Sequence, residues 1–267
     1  MVKFRKFKAV IFVVLSMFVI SLFYSHIVTL SVSKLNGITI VLDAGHGGRD
    51  GGSVGVNGTI EKKINLEYVM LLKDKLVENG YKVALTRKND DGLYSEFAKN
   101  KKTSDMNARF EIIKKANPNL VISIHMNSFS SSKAKGAMTY YRSGDKASKQ
   151  CADLIQKSIS TYCGVKNTSS KVGDYYMLNC SYYTSVLIEC GFISNSEEEK
   201  LLNSEEYKKL MINSIYKGIL LYFGNNSIWK NKASSLVFNW PLCLKLLNRQ
   251  LLLKQLIGLF HMLFQCS

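Results

Sequence analysis

Short, β-branched apolar runs alternate with longer segments of helical periodicity along the middle of this 267-residue chain. The clearest of these runs are residues 38–42, 120–124 and 185–188. Parallel strands need a long crossover connection, which is usually a helix, so strands separated by helical segments are typical of a sheet covered on both faces. The sequence therefore predicts an α/β fold: a single domain with a mostly parallel or mixed twisted sheet flanked by helices.

The remaining elements follow from periodicity and from residues that start or stop helices. Helical spacing predicts helices at residues 61–79, 104–116, 146–160 and 204–223. Further strands are predicted at residues 81–86, 136–141 and 175–178. Gly80 stands where the residue after a helix C-cap belongs, Ser104 can cap the second helix, and Asn117-Pro118 stops it.

The N-terminus has the pattern of a transmembrane anchor or a signal peptide. Residues 9–30 contain no Asp, Glu, Lys or Arg, and four cations precede them. About 20 apolar residues suffice to cross a bilayer, and the positive-inside rule keeps residues 1–8 cytoplasmic. We expect a single-pass anchor with the domain on the outer side of the cell membrane. A cleaved signal peptide, which would release the domain as a secreted protein, is the alternative.

Charge and composition divide the rest of the chain. The formal net charge is +16, but nine cations lie in the N-terminus and in an acid-free C-terminal stretch, which leaves +7 for the middle. A mildly basic domain suits an anionic polymer and does not require nucleic acid. We expect a linker at residues 31–36, a catalytic domain at 37–224 and a Leu/Lys-rich tail at 225–267. The tail is either a basic amphipathic helix at a membrane surface or an extension without a selected role.

The six cysteines include no Cys-x-x-Cys pair, which argues against a zinc ribbon or a thioredoxin-type motif. Outside the cytosol, Cys151 and Cys163 could form a disulfide. The alternative is that they are small buried hydrophobic residues.

Polar residues gather at the ends of the predicted strands, where α/β folds place their chemistry. His46 and His125 each follow an apolar strand, and Glu61 opens a helix. Two neutral imidazoles and one carboxylate form a three-ligand set typical of catalytic Zn²⁺, with the fourth position left for water. The helix dipole favours an ionised Glu61. Polar residues whose hydrogen bonds are satisfied within the protein are the alternative interpretation.

Glu189 directly follows the predicted strand at 185–188. Partial burial there would raise the pKa of its carboxyl toward the range useful for a general base. Strand alternation directs Glu189 and Cys190 to opposite faces, so one can face the site while the other packs. A glutamate exposed to water at a strand end is the alternative.

Together these blocks resemble the zinc-dependent N-acetylmuramoyl-L-alanine amidases of the amidase_3 family. The resemblance runs from about residue 38 to residue 223 and rests on several blocks in the same order and spacing, namely Asp43-Ala44-Gly45-His46-Gly47-Gly48-x-Asp50, Glu61-Lys62 with Asn65-Leu66, Leu85-Thr86-Arg87, Arg109 with Ala116-Asn117, Ser123-Ile124-His125-Met126-Asn127-Ser128 and Leu187-Ile188-Glu189-Cys190-Gly191-Phe192-Ile193-Ser194-Asn195. One departure is Thr184, where relatives often carry proline before the last strand; it affects loop stiffness rather than chemistry.

The resemblance implies that Zn²⁺ is held by His46, Glu61 and His125, and that Glu189 is the catalytic glutamate. The implied reaction is hydrolysis of the amide between the lactyl group of N-acetylmuramic acid and L-alanine in peptidoglycan. Asn127 and Arg87 are candidate supporting or substrate-binding residues, with helix or loop packing as an equal explanation.

One domain behind one anchor, without wall-binding repeats, is most similar to the CwlD-type sporulation amidases, which act on spore cortex. A general wall-remodelling amidase is the alternative within the family. Two further hypotheses are another metal-dependent wall hydrolase, such as a peptidase or deacetylase, and a catalytically silent wall-binding domain. The expected partners are peptidoglycan, the membrane and a possible activator protein that the sequence does not identify, but not nucleic acid.

Overall fold

The structure, a computed structural model, describes residues 37–179 and 182–225 as a single α/β domain. Its strands are β1 (Thr39–Ala44), β2 (Lys82–Leu85), β3 (Leu120–Asn127), β4 (Met138–Tyr141), β5 (Lys171–Val172) and β6 (Ser185–Phe192). Its helices are α1 (Glu61–Glu78), α2 (Lys101–Ala116), α3 (Lys146–Cys163), α4 (Tyr176–Asn179), α5 (Ser196–Asn203) and α6 (Glu205–Asn225).

The six strands form one mixed sheet in the order β2-β1-β3-β6-β4-β5. The first four strands in this order, β2, β1, β3 and β6, run parallel to one another. Strand β4 runs antiparallel to β6, and β5 runs parallel to β4. The carboxyl ends of β1, β3 and β6 therefore meet at one edge. Because β1, β3 and β6 are buried along nearly their whole length, they read as continuous apolar runs rather than as alternating patterns.

Apolar side chains cover the central strands. Val41 and Val121 pack with Ile113 of α2 and Met177 of α4 in one buried cluster. Helix α1 contacts β1 and β3, and helix α3 contacts β4 and β6. Packing against the helices therefore holds the sheet in place. The polar groups described below lie at its carboxyl edge.

Several predicted elements are confirmed with small changes of boundary. Helix α1 begins at Glu61, and Gly80 follows it with a left-handed φ of 84°. The predicted start of the last helix at Ser204 is also confirmed, since the Ser204 hydroxyl accepts the Tyr207 N–H at 3.3 Å. Helix α5, which precedes it, is absent from the sequence prediction.

Two local predictions are wrong. Helix α2 begins three residues before Ser104, because the Asn100 side chain caps it by accepting the Thr103 N–H at 3.0 Å. Residues 175–178 do not form a strand. The N–H groups of Leu178 and Asn179 both bond to the Tyr175 carbonyl, which makes a single helical turn.

The structure also distinguishes a disulfide from free thiols for Cys151 and Cys163. Cys151, Cys163 and Cys190 are free thiols. Cys151 and Cys163 lie in the same helix, α3, twelve residues apart and thus roughly 18 Å along its axis, too far for a disulfide. Burial raises the pKa of both thiols, as expected for small hydrophobic residues.

The predicted anchor at residues 9–30 and the tail at residues 226–267 lie outside the described residues. Within residues 37–179 and 182–225, no helix has both the length and the apolar character needed to cross a membrane.

Candidate metal centre and catalytic site

His46 lies in a tight turn directly after β1. Its φ of 64° is left-handed, and Gly47 and Gly48 after it also have positive φ, at 140° and 57°. A non-glycine residue in this region carries strain, which persists only where the surrounding structure enforces it. The turn therefore needs strong bonds to hold the imidazole in place.

A buried arginine supplies those bonds. Arg109, fully buried on α2, donates to the carbonyl oxygens of Ala44 at 2.8 Å and His46 at 2.5 Å. The same guanidinium is paired with Asp43 at 2.6 Å and Asp105 at 2.6 Å. The charge pairs fix Arg109, and Arg109 fixes the backbone on which His46 stands.

Arg87, which the sequence offers as a supporting or substrate-binding residue, is buried behind the same turn. It donates to the carbonyl oxygens of Ala44 at 2.9 Å, Gly45 at 3.0 Å and Lys62 at 2.6 Å. These bonds join the turn that carries His46 to the first turn of α1. The geometry therefore favours a role in holding the backbone.

Glu61 is the first residue of α1 and is buried, with both carboxylate oxygens occupied. Oε2 accepts the Ser53 N–H at 2.8 Å, and Oε1 accepts the Met126 N–H at 3.3 Å and the Asn65 amide at 3.3 Å. Burial alone would raise the pKa of Glu61, but hydrogen bonds from His125 and His46 hold it far below its ordinary value. The carboxylate is therefore ionised.

His125 lies near the end of β3 and completes a cluster of three possible metal ligands. Glu61 Oε1 lies 3.0 Å from His125 Nδ1 and 3.1 Å from His46 Nε2. One ligand atom from each residue lies within 4.8 Å of the others. The two imidazole rings, 5.0 Å apart, stand nearly perpendicular at 77°. Residues far apart in sequence thus converge on one point.

This cluster fits a zinc ion by its donor chemistry. Ligands about 2.0–2.1 Å from a tetrahedral zinc lie roughly 3.3 Å from one another, so the two separations from Glu61 Oε1 would change little. Two imidazoles and one carboxylate are also a common three-ligand set for catalytic zinc. His46, Glu61 and His125 are therefore suited to hold the ion.

Asp50 fixes the orientation of His46 and was missed as a site residue in the sequence prediction. Its Oδ1 lies 2.9 Å from His46 Nδ1 and accepts the Gly52 N–H at 3.1 Å. Donation from Nδ1 to a carboxylate fixes the orientation of the imidazole, as is usual for a metal-ligating histidine, and directs Nε2 toward Glu61. The signal was available, since Asp50 lies four residues after His46 in the same glycine-rich block.

Two glycines make room for these contacts. A Cβ added at Gly45 would lie 2.1 Å from the His125 ring, and one at Gly52 would lie 2.5 Å from Glu61 Oε2. Gly52 also has a φ of 67°, which favours glycine. Side chains at these positions would displace the ligands themselves.

Glu189 lies on β6 directly opposite His125 on β3. The residue is only 7% exposed, and its Oε2 has no hydrogen-bond partner among the described residues. Burial raises the pKa of Glu189 to about 7; the nearby Glu61 charge raises it too, while His125 and His46 oppose the shift. A buried carboxyl with a free oxygen and a pKa near neutrality has the properties of a general base.

Asn127, the other candidate support residue, ends β3 two residues after His125. Its side-chain oxygen accepts the Ser128 N–H at 2.8 Å, and its carbonyl accepts the Ile193 N–H at 2.9 Å. A bulge between His125 and Asn127 shifts the register against β6 at this point. These bonds shape the loop after β3.

Comparison with known proteins identifies the family of this chain. The sequence profile of the Amidase_3 family, described as N-acetylmuramoyl-L-alanine amidase, matches residues 40–220. The Germination-specific N-acetylmuramoyl-L-alanine amidase of Bacillus subtilis (strain 168) is 38% identical over 196 residues, which cover 71% of this chain and 81% of the relative.

Solved structures share the fold. The CwlD amidase from Clostridioides difficile, solved in complex with the GerS lipoprotein, is 38% identical with a TM-score of 0.68, covering 71% of this chain and all of that one. The catalytic domain of CwlV, an N-acetylmuramoyl-L-alanine amidase from Bacillus (Paenibacillus) polymyxa var. colistinus, is 29% identical with a TM-score of 0.63, covering 71% of this chain and 99% of the other. The chain therefore belongs to the Amidase_3 family, and with it to the N-acetylmuramoyl-L-alanine amidases.

Proposed function

We propose that this amidase uses Zn²⁺, held by His46, Glu61 and His125, to hydrolyse the bond between the lactyl group of N-acetylmuramic acid and L-alanine in peptidoglycan. The observation that carries the proposal is the convergence of these three donors beside Glu189, a buried acid whose Oε2 has no hydrogen-bond partner within the described part of the chain. A wall-binding module would have no need for such an acid.

When bound, the zinc supplies Lewis-acid activation of the amide carbonyl and of the attacking water. Glu189 accepts the proton of that water on its free Oε2, because a carboxyl with a pKa near 7 is readily deprotonated and reprotonated at neutral pH. The same carboxyl then donates the proton to the nitrogen of L-alanine, which leaves as an amine. Asp50 and Arg109 keep His46 in position throughout.

We further propose that the chain acts on the spore cortex from outside the cell membrane. The proposal is supported by similarity to a germination-specific amidase and to the CwlD amidase. Because that CwlD amidase was solved with a lipoprotein, we also propose a lipoprotein partner for this chain. The division into a cytoplasmic segment at 1–8, an anchor at 9–30, a linker at 31–36, a catalytic domain at 37–224 and a tail at 225–267 is part of this proposal and rests on the sequence.

The test is the identity of the products from purified disaccharide-peptide fragments of peptidoglycan. Mass spectrometry of the wild-type reaction should find a free peptide that begins with L-alanine and a disaccharide with intact acetyl groups. Loss of acetate would instead identify a deacetylase, and cleavage within the peptide would identify a peptidase.

The role of Glu189 is tested in the same assay with Glu189→Gln. Because glutamine keeps the shape but cannot accept the proton, kcat should fall by about 10²–10⁴-fold. Zinc content should stay at the wild-type level. Glu111→Gln, at an exposed position on α2, is the matched control and should keep full activity. Full activity of Glu189→Gln would refute the mechanism.

A further inference from the structure

A pair of tyrosines lies beside Glu189 and has no part in the hydrolytic steps above. Strand β4 runs antiparallel to β6, with Met138 opposite Glu189 and Tyr140 opposite Leu187. Since alternate residues of a strand share a face, Tyr140 lies on the same face of the sheet as Glu189, at the diagonal position. Aromatic side chains reach across such a diagonal.

Tyr175, just before α4, packs against Tyr140. The two rings lie 5.2 Å apart in an edge-to-face arrangement. Gly173 makes this approach feasible, since a Cβ there would lie 2.7 Å from the Tyr175 ring and 3.0 Å from Tyr140 Cβ. The absence of a side chain at Gly173 therefore lets the two tyrosines pack together.

The backbone that carries Tyr175 is itself tied down on both sides. The Gly173 N–H donates to the Tyr141 carbonyl at 2.9 Å. On the other side, the Tyr176 hydroxyl donates to the Asn107 side chain of α2 at 2.9 Å. Met177, the next residue, is buried in the cluster under the sheet. The tyrosine pair is therefore held by fixed elements.

Both hydroxyls keep their protons at neutral pH. Burial and the charge of Glu189 raise the pKa of both phenols. A protonated phenol can donate its own proton in a hydrogen bond.

Both tyrosines are partly exposed, whereas Glu189 beside them is almost completely buried, and its Oε2 has no hydrogen-bond partner among the described residues. Tyr140, on the same face of the sheet as Glu189, is therefore placed to contact a substrate bound at Glu189. A peptide stem, which carries a carbonyl oxygen at every residue, offers acceptors to its hydroxyl.

We propose that Tyr140 is a substrate-binding residue whose hydroxyl donates to a carbonyl oxygen of the peptide stem, and that Tyr175 positions it. This rests on the proposed function for the identity of the substrate. It adds a contact on the peptide, away from the metal ligands, and so predicts an effect on binding rather than on zinc.

The test measures binding of an N-acetylmuramoyl peptide by calorimetry to the zinc-loaded Glu189→Gln protein, which does not consume the ligand. Adding Tyr140→Phe, which keeps the ring but removes the hydroxyl, should weaken binding about tenfold, the effect expected for one hydrogen bond. Tyr175→Phe should weaken it less, because Tyr140 keeps its own hydroxyl. Zinc content should not change in either variant.

Two controls separate this effect from a structural one. Tyr162→Phe, at an exposed tyrosine at the end of α3, should leave binding unchanged. Binding of N-acetylmuramic acid without a peptide should be equally weak with and without Tyr140→Phe. In the otherwise wild-type enzyme, Tyr140→Phe should raise KM about tenfold and change kcat little.

Unchanged affinity in Tyr140→Phe, loss of zinc, or an equal effect on the sugar alone would overturn the inference. So would a Glu189→Gln protein that binds no muramoyl peptide. If Tyr140→Phe weakens binding but the wild-type enzyme releases no peptide, the proposed reaction fails and the binding role stands. If the wild type releases peptide but Tyr140→Phe binds normally, the reaction stands and the role of Tyr140 fails.

Discussion

Acid should destabilise this domain through one buried carboxylate, Asp43, and the effect can be calculated from its surroundings. Asp43 accepts hydrogen bonds from Thr86 at 2.7 Å, Arg109 at 2.6 Å and Ser123 at 2.6 Å. Burial alone would raise the pKa of Asp43, but Arg109 and these hydroxyls outweigh burial and lower it to about 2.

The sign follows from the direction of this shift. Because the pKa is lower in the folded protein than the ordinary 3.8, the stabilisation is complete well above pH 4 and is lost as the pH falls through 2. A pKa difference of one corresponds to about 1.36 kcal/mol, so ionisation of Asp43 contributes about 2 kcal/mol at neutral pH. About half of that is lost at pH 3.

The assay is urea unfolding of metal-free protein, with EDTA present so that loss of a metal at low pH does not contribute. Other acids titrate as well, so the informative quantity is the difference in unfolding free energy between wild type and Asp43→Asn. Removal of one partner of a buried pair should cost about 3–5 kcal/mol at pH 7. That difference should shrink by about 1 kcal/mol at pH 3. An equal difference at pH 7 and pH 3 would refute this reasoning.

Two substitutions test how the ligands are positioned, with zinc affinity as the readout. Gly45→Ala places a methyl group 2.1 Å from the His125 ring, so the ring must move and zinc affinity should fall at least about tenfold. Its control is Gly37→Ala, which should bind zinc normally because no atom of the described residues lies within 4 Å of the added methyl group. Asp50→Ala removes the acceptor of His46 Nδ1 and should weaken zinc binding by about 10–100-fold, whereas Asp74→Ala, at an exposed carboxylate, should not. Unchanged affinity in Gly45→Ala or in Asp50→Ala would show that the ligands are not held by these contacts.

Sequence patterns predicted the parts of the fold that depend on long apolar runs and on strong stop signals. The central strands and α1 are such elements, and Gly80 and Asn117 end helices where the sequence indicated. The polar blocks at the carboxyl edge of the sheet could also be placed, because parallel strands bring those ends together.

Short elements were predicted less well because their conformation depends on tertiary contacts. Residues 175–178 have strand-like composition, yet the N–H groups of Leu178 and Asn179 both bond to the Tyr175 carbonyl and close a helical turn. Strand β5 has only two residues and exists because it pairs with Tyr140 and Tyr141. No local sequence pattern predicts so short a strand.

Within the site, sequence reasoning identified the groups with distinctive chemistry and missed those that act through geometry. His46, Glu61 and His125 were noticed because histidine is rare in this chain and the three follow strands or open a helix. The role of Asp50 depends on a left-handed φ at His46, which places its Nδ1 within 2.9 Å. The tyrosine pair depends on the register of β4 against β6, which the sequence does not reveal.

The most direct test of the account is the number of zinc ions that each chain retains after gel filtration, measured by mass spectrometry of the metal for wild type, Glu61→Ala and Glu189→Gln. We predict one zinc per chain in the wild type and in Glu189→Gln, and little or none in Glu61→Ala, which lacks the carboxylate shared by both histidines. A Glu61→Ala protein that still retains a full equivalent of zinc, or a wild type that retains none when zinc is supplied, would contradict it.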